Sequence, residues 1–248
     1  MPVDIHCHFN HGSALDVADS PISQNGIAFI RDAYAHIGIA WGGINTYASV
    51  FHPMGEGVVE SNRWLYDFAQ KESWVRQWVV IDPRVEESFR QAEQMLTSPK
   101  TLGIKIHPTF HQYDLAEYGD KIFGFANEHN AVVLMHPVMT PEGMEQAAHF
   151  ADKYPDMKLI SAHLCSVEQV DLLKNHENIY TDTSGGASNL NNVLEYAVEN
   201  VGSKKILFGT DGYSAEFQFG RVALSRLPFE DKENILYRNA MRLVPKAF

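Results

Sequence analysis

The sequence predicts a single-domain (β/α)8 barrel, and three observations carry that prediction. Eight short apolar runs alternate with segments of helical periodicity, and the ends of the runs recur about every 30 residues, the length of one βα unit. The clearest run, Ala131 to His136, is apolar almost throughout, as a parallel strand buried on both faces must be. Nothing like the glycine-rich turn of a dinucleotide-binding sheet follows the first run, which argues against an open doubly wound sheet. Eight such units close into a TIM barrel.

The first strand, Val3 to Phe9, carries Asp4, His6 and His8 on one face by strand alternation, with Ile5 and Cys7 on the other. Residues 10 to 24 read as a long loop, and Asn25 is placed to cap a helix with Ile27, Ile30, Tyr34 and Ile37 at helical spacing. The second strand is expected from Thr46 to Phe51, and a helix from Val58 to Lys71. Strand Trp74 to Ile81 and helix Val85 to Leu96 come next, then strand Leu102 to His107, stopped by Pro108. A helix from Lys121 to His129 precedes the clearest strand. Beyond it come helix Glu142 to Tyr154, strand Met157 to His163, helix Val167 to Asn175, strand Ile179 to Thr183, and helix Leu190 to Asn200. An eighth strand, Lys205 to Asp211, and helices Ala215 to Arg226 and Glu230 to Leu243 complete the chain.

Composition narrows the function classes. The chain has 248 residues, 45% of them hydrophobic, with no linker or repeat suggesting a second domain. No apolar run approaches the roughly 20 residues of a membrane span, so no membrane partner is expected. Val3 already begins a strand, leaving no room for a signal peptide, and the two cysteines are too few for a disulfide scaffold. A reducing cytoplasm is therefore the expected location. A formal charge of -11 with no Lys/Arg cluster argues against nucleic acid. A small molecule is the expected partner, and homo-oligomerisation is compatible with the sequence.

In a barrel the carboxyl ends of the strands converge on one face, so their terminal residues meet in space. Those residues are His6, His8, Lys105, His107, His136, His163, Asp182 and Asp211. His6, His8, His136 and Asp211 would give one divalent cation nitrogen and oxygen donors and leave a position for water. Zinc is the first choice on ligand type; manganese, iron and cobalt also fit. Lys105, His107, Arg84, His52 and Tyr213 are weaker candidates for binding substrate. Phe110, His111, Met139 and Ser184 share the rim loops with Tyr213, where substrate selection is expected. His36, His129, His149 and His176 read as surface residues of helices.

The ordered motifs Asp-Ile-His-Cys-His, Gly-Ile-Lys-Ile-His-Pro, Val-Leu-Met-His-Pro, Ile-Ser-Ala-His-Leu, Tyr-Thr-Asp-Thr-Ser and Leu-Phe-Gly-Thr-Asp-Gly resemble the amidohydrolase superfamily. Within it the chain is most similar to the amidohydrolase-related group of lactonases and aminocarboxymuconate-semialdehyde decarboxylases, up to the closing Asn234 to Ala240 segment. The resemblance implies one metal held by His6, His8, His136 and Asp211, with His163 as a catalytic histidine and Asp211 as proton acceptor. The TatD-type nucleases of the superfamily carry a Glu where this chain has Lys105, which disfavours a nuclease. The chain also reads as short for the decarboxylases. The leading expectation is therefore hydrolysis of a small ester, lactone or amide by metal-bound hydroxide. Non-oxidative decarboxylation of a small unsaturated or aromatic acid is the alternative, and a non-catalytic metabolite-binding barrel stands behind both.

Overall fold

Eight parallel strands run in sequence order around one sheet: β1 (Asp4–Phe9), β2 (Gly42–Thr46), β3 (Val75–Val80), β4 (Thr101–Ile106), β5 (Val132–Met135), β6 (Lys158–Ser161), β7 (Ile179–Asp182) and β8 (Ile206–Leu207). This computed structural model describes residues 1–137, 140–212 and 214–248. The backbone bonds Ile5 N to Phe208 O (2.8 Å) and Thr210 N to His6 O (3.0 Å) join β1 to the chain after β8. The fold is the expected (β/α)8 barrel.

The interior below the strand ends is filled by Ile5, Trp78, Leu102, Leu134, Ile160 and Leu207, closed from beneath by Ala240, Val244 and Ala247. Each such side chain, fully buried, contributes about 1.5 to 3 kcal/mol. Outside the sheet, helices lay their apolar stripes on the strands. Leu115, Ile122, Phe123 and Ala126 of helix Leu115–Glu128, at helical spacing, pack with Ile104, Ile106 and Val133. The closing helix widens into a π turn over Asn234–Arg238. There the Ile235 and Leu236 carbonyls accept from Phe208 N and Val3 N, so the irregular turn serves the two closing strands.

Several expectations are corrected. A register shift between Asp4 and Cys7 turns Asp4 away from His6 and His8. Its carboxylate accepts instead from the Tyr34 hydroxyl (2.6 Å), Thr210 Oγ1 (2.6 Å) and the backbone N–H groups of His6 and Thr210. The second strand is Gly42–Thr46, and the apolar run after it is a short helix, Tyr47–Val50. Helix Ile27–Ile37 starts at Gly26 with no side-chain cap, so Asn25 does not cap it. The eighth strand ends at Leu207, short of the expected Asp211; Phe208 to Thr210 are irregular and Asp211 and Gly212 form a turn. Tyr213 and Met139 lie outside the described residues.

Candidate metal centre

His6 and His8 both face the barrel axis, and their Nε2 atoms are 3.2 Å apart. Asp211 Oδ1 lies 3.0 Å from His8 Nε2 and 3.4 Å from His6 Nε2. Donors about 2.1 Å from a common ion are themselves about 3.0 to 3.4 Å apart, so the three edges fit one divalent cation.

The outer nitrogens reinforce that reading. His6 Nδ1 meets Asp182 Oδ2 at 3.0 Å, and His8 Nδ1 meets the Asn45 carbonyl at 3.3 Å. Each imidazole thus has an acceptor for its Nδ1 proton, which leaves Nε2 with a free lone pair. Burial first, then the Lys105 ammonium, pushes the pKa of His6 down to about 3, so the ring is neutral at neutral pH. Two imidazole lone pairs and a carboxylate oxygen converging on one point make a donor set suited to a divalent cation. The donor set fits a metal ion.

Asp211 and His163 both have left-handed backbones, with φ of 62° and 63°. Such conformations for residues other than glycine cluster at functional sites. Burial works against the charged form of Asp211, but the imidazoles of His8, His6 and His163 around it hold it well below the usual carboxylate range. His163 joins Ser184 Oγ at 2.9 Å through Nδ1 and His136 Nδ1 at 3.2 Å through Nε2. A second grouping, His6, His163 and Asp182, has the Ser184 hydroxyl at its centre, bonded to all three.

His136 stands one ring away from the His6, His8, Asp211 trio, behind His163, and stacks on His107 with ring centres 4.0 Å apart. Lys105 is fully buried on β4 with Nζ 3.2 Å from His6 Nε2. Burial lowers its pKa to about 8. His107 Nδ1 accepts from Phe110 N.

Two weaker candidates are engaged elsewhere. Arg84 forks onto Asp82, with Nε to Oδ1 at 2.9 Å and Nη2 to Oδ2 at 2.7 Å, and also donates to the His111 carbonyl. His52 Nε2 bonds the Leu15 carbonyl at 2.7 Å and pins the loop after β1. Neither side chain is turned to the cluster, and each would have to break these bonds to reach a ligand.

Asp182 acquires a place the sequence left undefined. Burial alone would raise its carboxyl, but His6, His163 and Ser184 outweigh it and hold it below the usual range. The Thr-Asp-Thr-Ser run after an apolar strand is the signal that points to it.

The rings also form a circuit. His8 contacts Phe51 (6.1 Å between centres), Phe51 contacts His107 (6.3 Å), and His107 contacts His136. His136 contacts His163 (5.0 Å), His163 contacts His6 (5.1 Å), and His6 returns to His8 (5.1 Å). Tyr47 and Phe110 flank it, packed on His8 and His107.

A parallel eight-stranded barrel with a His-x-His pair on β1 and an aspartate after β8 defines a metal-site barrel of the amidohydrolase kind. Residues 3–246 match the family model described as amidohydrolase, and the chain belongs to that family. No curated protein matches the chain. Among solved structures it is similar to 2,6-dihydroxybenzoate decarboxylase from Rhizobium, at 14% identity and a TM-score of 0.74, covering 98% of each chain. Dihydroxybenzoic acid decarboxylase from Polaromonas sp. JS666, with bound manganese and the inhibitor 2-nitroresorcinol, gives 16% and 0.73, covering 98% of this chain and 96% of that one. An amidohydrolase from Burkholderia multivorans with bound HEPES gives 14% and 0.76, covering 99% of each. At these identities the likeness is one of fold. The alignment nevertheless runs through nearly the whole of both decarboxylases, so the expectation that the chain is short for that group is not met.

Proposed function

We propose that this protein is a metal-dependent non-oxidative decarboxylase of a small aromatic acid. The observation that carries the reading is the circuit of six aromatic rings that runs from His6 and His8 through Phe51, His107, His136 and His163 beside Asp211. Flat rings favour a flat ring beside them by stacking and edge contacts, each worth about 0.5 to 1.5 kcal/mol beyond area burial. Decarboxylases of aromatic acids among the solved structures of the same fold support it, and displace hydrolysis as the leading reading.

His6, His8 and Asp211, with His136 as fourth donor, would hold one divalent ion. When bound, that ion supplies a Lewis acid that orients and polarises the oxygens of the substrate. Manganese joins zinc as a first choice because two solved neighbours hold it. The Lys105 ammonium, in the floor beside His6, offers charge to a substrate anion. His163, steadied by Ser184, polarises a substrate oxygen. Asp211 is the trio member most open to solvent, its side chain 16% exposed against 0% and 4% for His6 and His8. It takes up a proton at the mouth and passes it to the ring carbon as the bond to the carboxylate breaks. The electron pair of that bond stays on the ring carbon and accepts the proton, and carbon dioxide leaves.

Hydrolysis of an ester, lactone or amide is the second reading, favoured by the ionised Asp211, which is suited to accept a proton from water. The two separate in one assay. Protein loaded with Mn2+ or Zn2+ is offered hydroxybenzoic acids and a set of lactones, esters and amides. The proposal expects carbon dioxide from an aromatic acid, abolished by chelation; acid release from the second set alone would replace it with hydrolysis.

A further inference from the structure

We propose that Asn45 is a substrate-positioning residue, its carboxamide binding an oxygen group that the substrate brings into the barrel. The inference rests on the reading of the site as that of a metal-dependent enzyme for a small oxygen-bearing molecule, and adds a residue that reading does not use. Asn45 lies near the carboxyl end of β2, paired in register with His8. Ile44 packs in the helix-side cluster with Cys7, Phe9 and Tyr34. A Cβ on Gly43 would meet Leu102, Trp78 and the Ile5 carbonyl at 2.6 to 2.8 Å, so that position faces the interior. Alternation then turns the side chain of Asn45 inward, one level nearer the metal centre.

There it is fully buried, and neither Nδ2 nor Oδ1 has a hydrogen-bond partner. The contrast with other buried asparagines is sharp. Asn62 donates to the Val80 carbonyl and accepts from Val80 N, and Asn239 donates to the Ser203 and Ile206 carbonyls while accepting from Arg242. Gln77 and Gln218 each leave one amide oxygen unpaired, but their nitrogens are bonded. Among the described residues Asn45 is the one buried carboxamide unpaired at both ends. Folded proteins rarely retain such a group without a role for it. With two N–H donors and a carbonyl acceptor side by side, its natural partner is an oxygen group that accepts and donates, such as a hydroxyl. The Asn45 main chain meanwhile holds His8 through its carbonyl. The same residue thus meets a metal-ligand candidate through its carbonyl and carries an unpaired carboxamide on the inward face of β2.

The test compares Mn2+-loaded wild type, Asn45→Leu and Asn45→Ser. The Leu variant has nearly the shape of Asn without its polar atoms; the Ser variant carries the same comparisons should Leu fail to fold. Metal analysis and thermal melts without substrate come first. The expected result is unchanged metal content and a melting temperature about 2 to 6 °C higher for Leu, since an unpaired buried amide has been removed. Calorimetric titration with 2,6-dihydroxybenzoate comes second, with an expected loss of about 10- to 100-fold in affinity relative to wild type. A variant that melts lower than wild type, or that binds the probe as tightly, overturns the proposal. Should wild type itself not bind this acid, the aromatic-acid reading fails separately. The second arm then reads kcat/KM on whichever ester, lactone or amide wild type cleaves, and an unchanged value overturns the role of Asn45.

Discussion

The two side chains to which the proposal gives chemistry, Asp211 and His163, sit in backbone conformations that cost roughly 1 to 2 kcal/mol for a residue other than glycine. Asp211 is held there by its backbone N–H on the His6 carbonyl, with its carboxylate placed against both β1 imidazoles where a bound cation would join them. Asp211→Asn keeps the shape and one oxygen donor but cannot carry a proton as a carboxylate does. The expected outcome is a folded, metal-retaining protein with turnover reduced on the order of 100- to 10,000-fold, checked by metal analysis beside steady-state rates. Near-normal turnover would take Asp211 out of proton transfer. His136 poses a sharper question because its ring stands behind His163 and outside the trio. As the fourth donor, His136→Ala is expected to lose most of its metal and activity together. Full metal content in the folded variant would reduce the protein ligand set to His6, His8 and Asp211.

Strand ends organise the site, and here the sequence was legible in part. His6 and His8 come together as alternation along β1 expects. The same rule misplaces Asp4, since a bulge inserts a residue without leaving any mark in an apolar pattern. The second strand hid for a different reason. Gly-Gly-Ile-Asn-Thr has weak strand propensity, yet a Cβ at Gly42 would come within 2.4 to 2.8 Å of Tyr34, and one at Gly43 equally close to Trp78 and Leu102. Close packing between layers selects those glycines, and only the fold reveals the neighbours. Asn45 was missed with its strand. Asp182 was visible as a strand-end residue, but its task, holding His6 Nδ1, depends on a partner 176 positions away. Asp182→Asn removes the charge behind His6 while keeping an oxygen. It is expected to weaken metal affinity about 10- to 100-fold, measured by competition with a chelator of known affinity. Unchanged affinity would make Asp182 a packing residue.

Across the whole molecule, a net charge of -11 surrounds a centre whose one buried ammonium, Lys105, lies against a metal-ligand candidate. Lowered to about 8 by burial, that amine keeps its proton at neutral pH. Being positive, it disfavours a second cation. One ion per chain and an unmodified Lys105 are expected. Native mass spectrometry with metal stoichiometry checks this, and two ions plus the added mass of a carbamate on Lys105 would reassign the lysine as a bridging ligand and His163 as a metal donor.

The central claim is that the ring-lined metal centre removes a carboxyl group from an aromatic acid. Its most direct test incubates Mn2+-loaded protein in D2O with carboxyl-labelled 2,6-dihydroxybenzoate and follows both products by nuclear magnetic resonance. The account predicts labelled carbon dioxide and one deuterium on the vacated ring carbon, both lost with chelator and both strongly reduced in Asp211→Asn. Intact labelled acid, in a preparation that holds its metal and hydrolyses a lactone or ester, would contradict it.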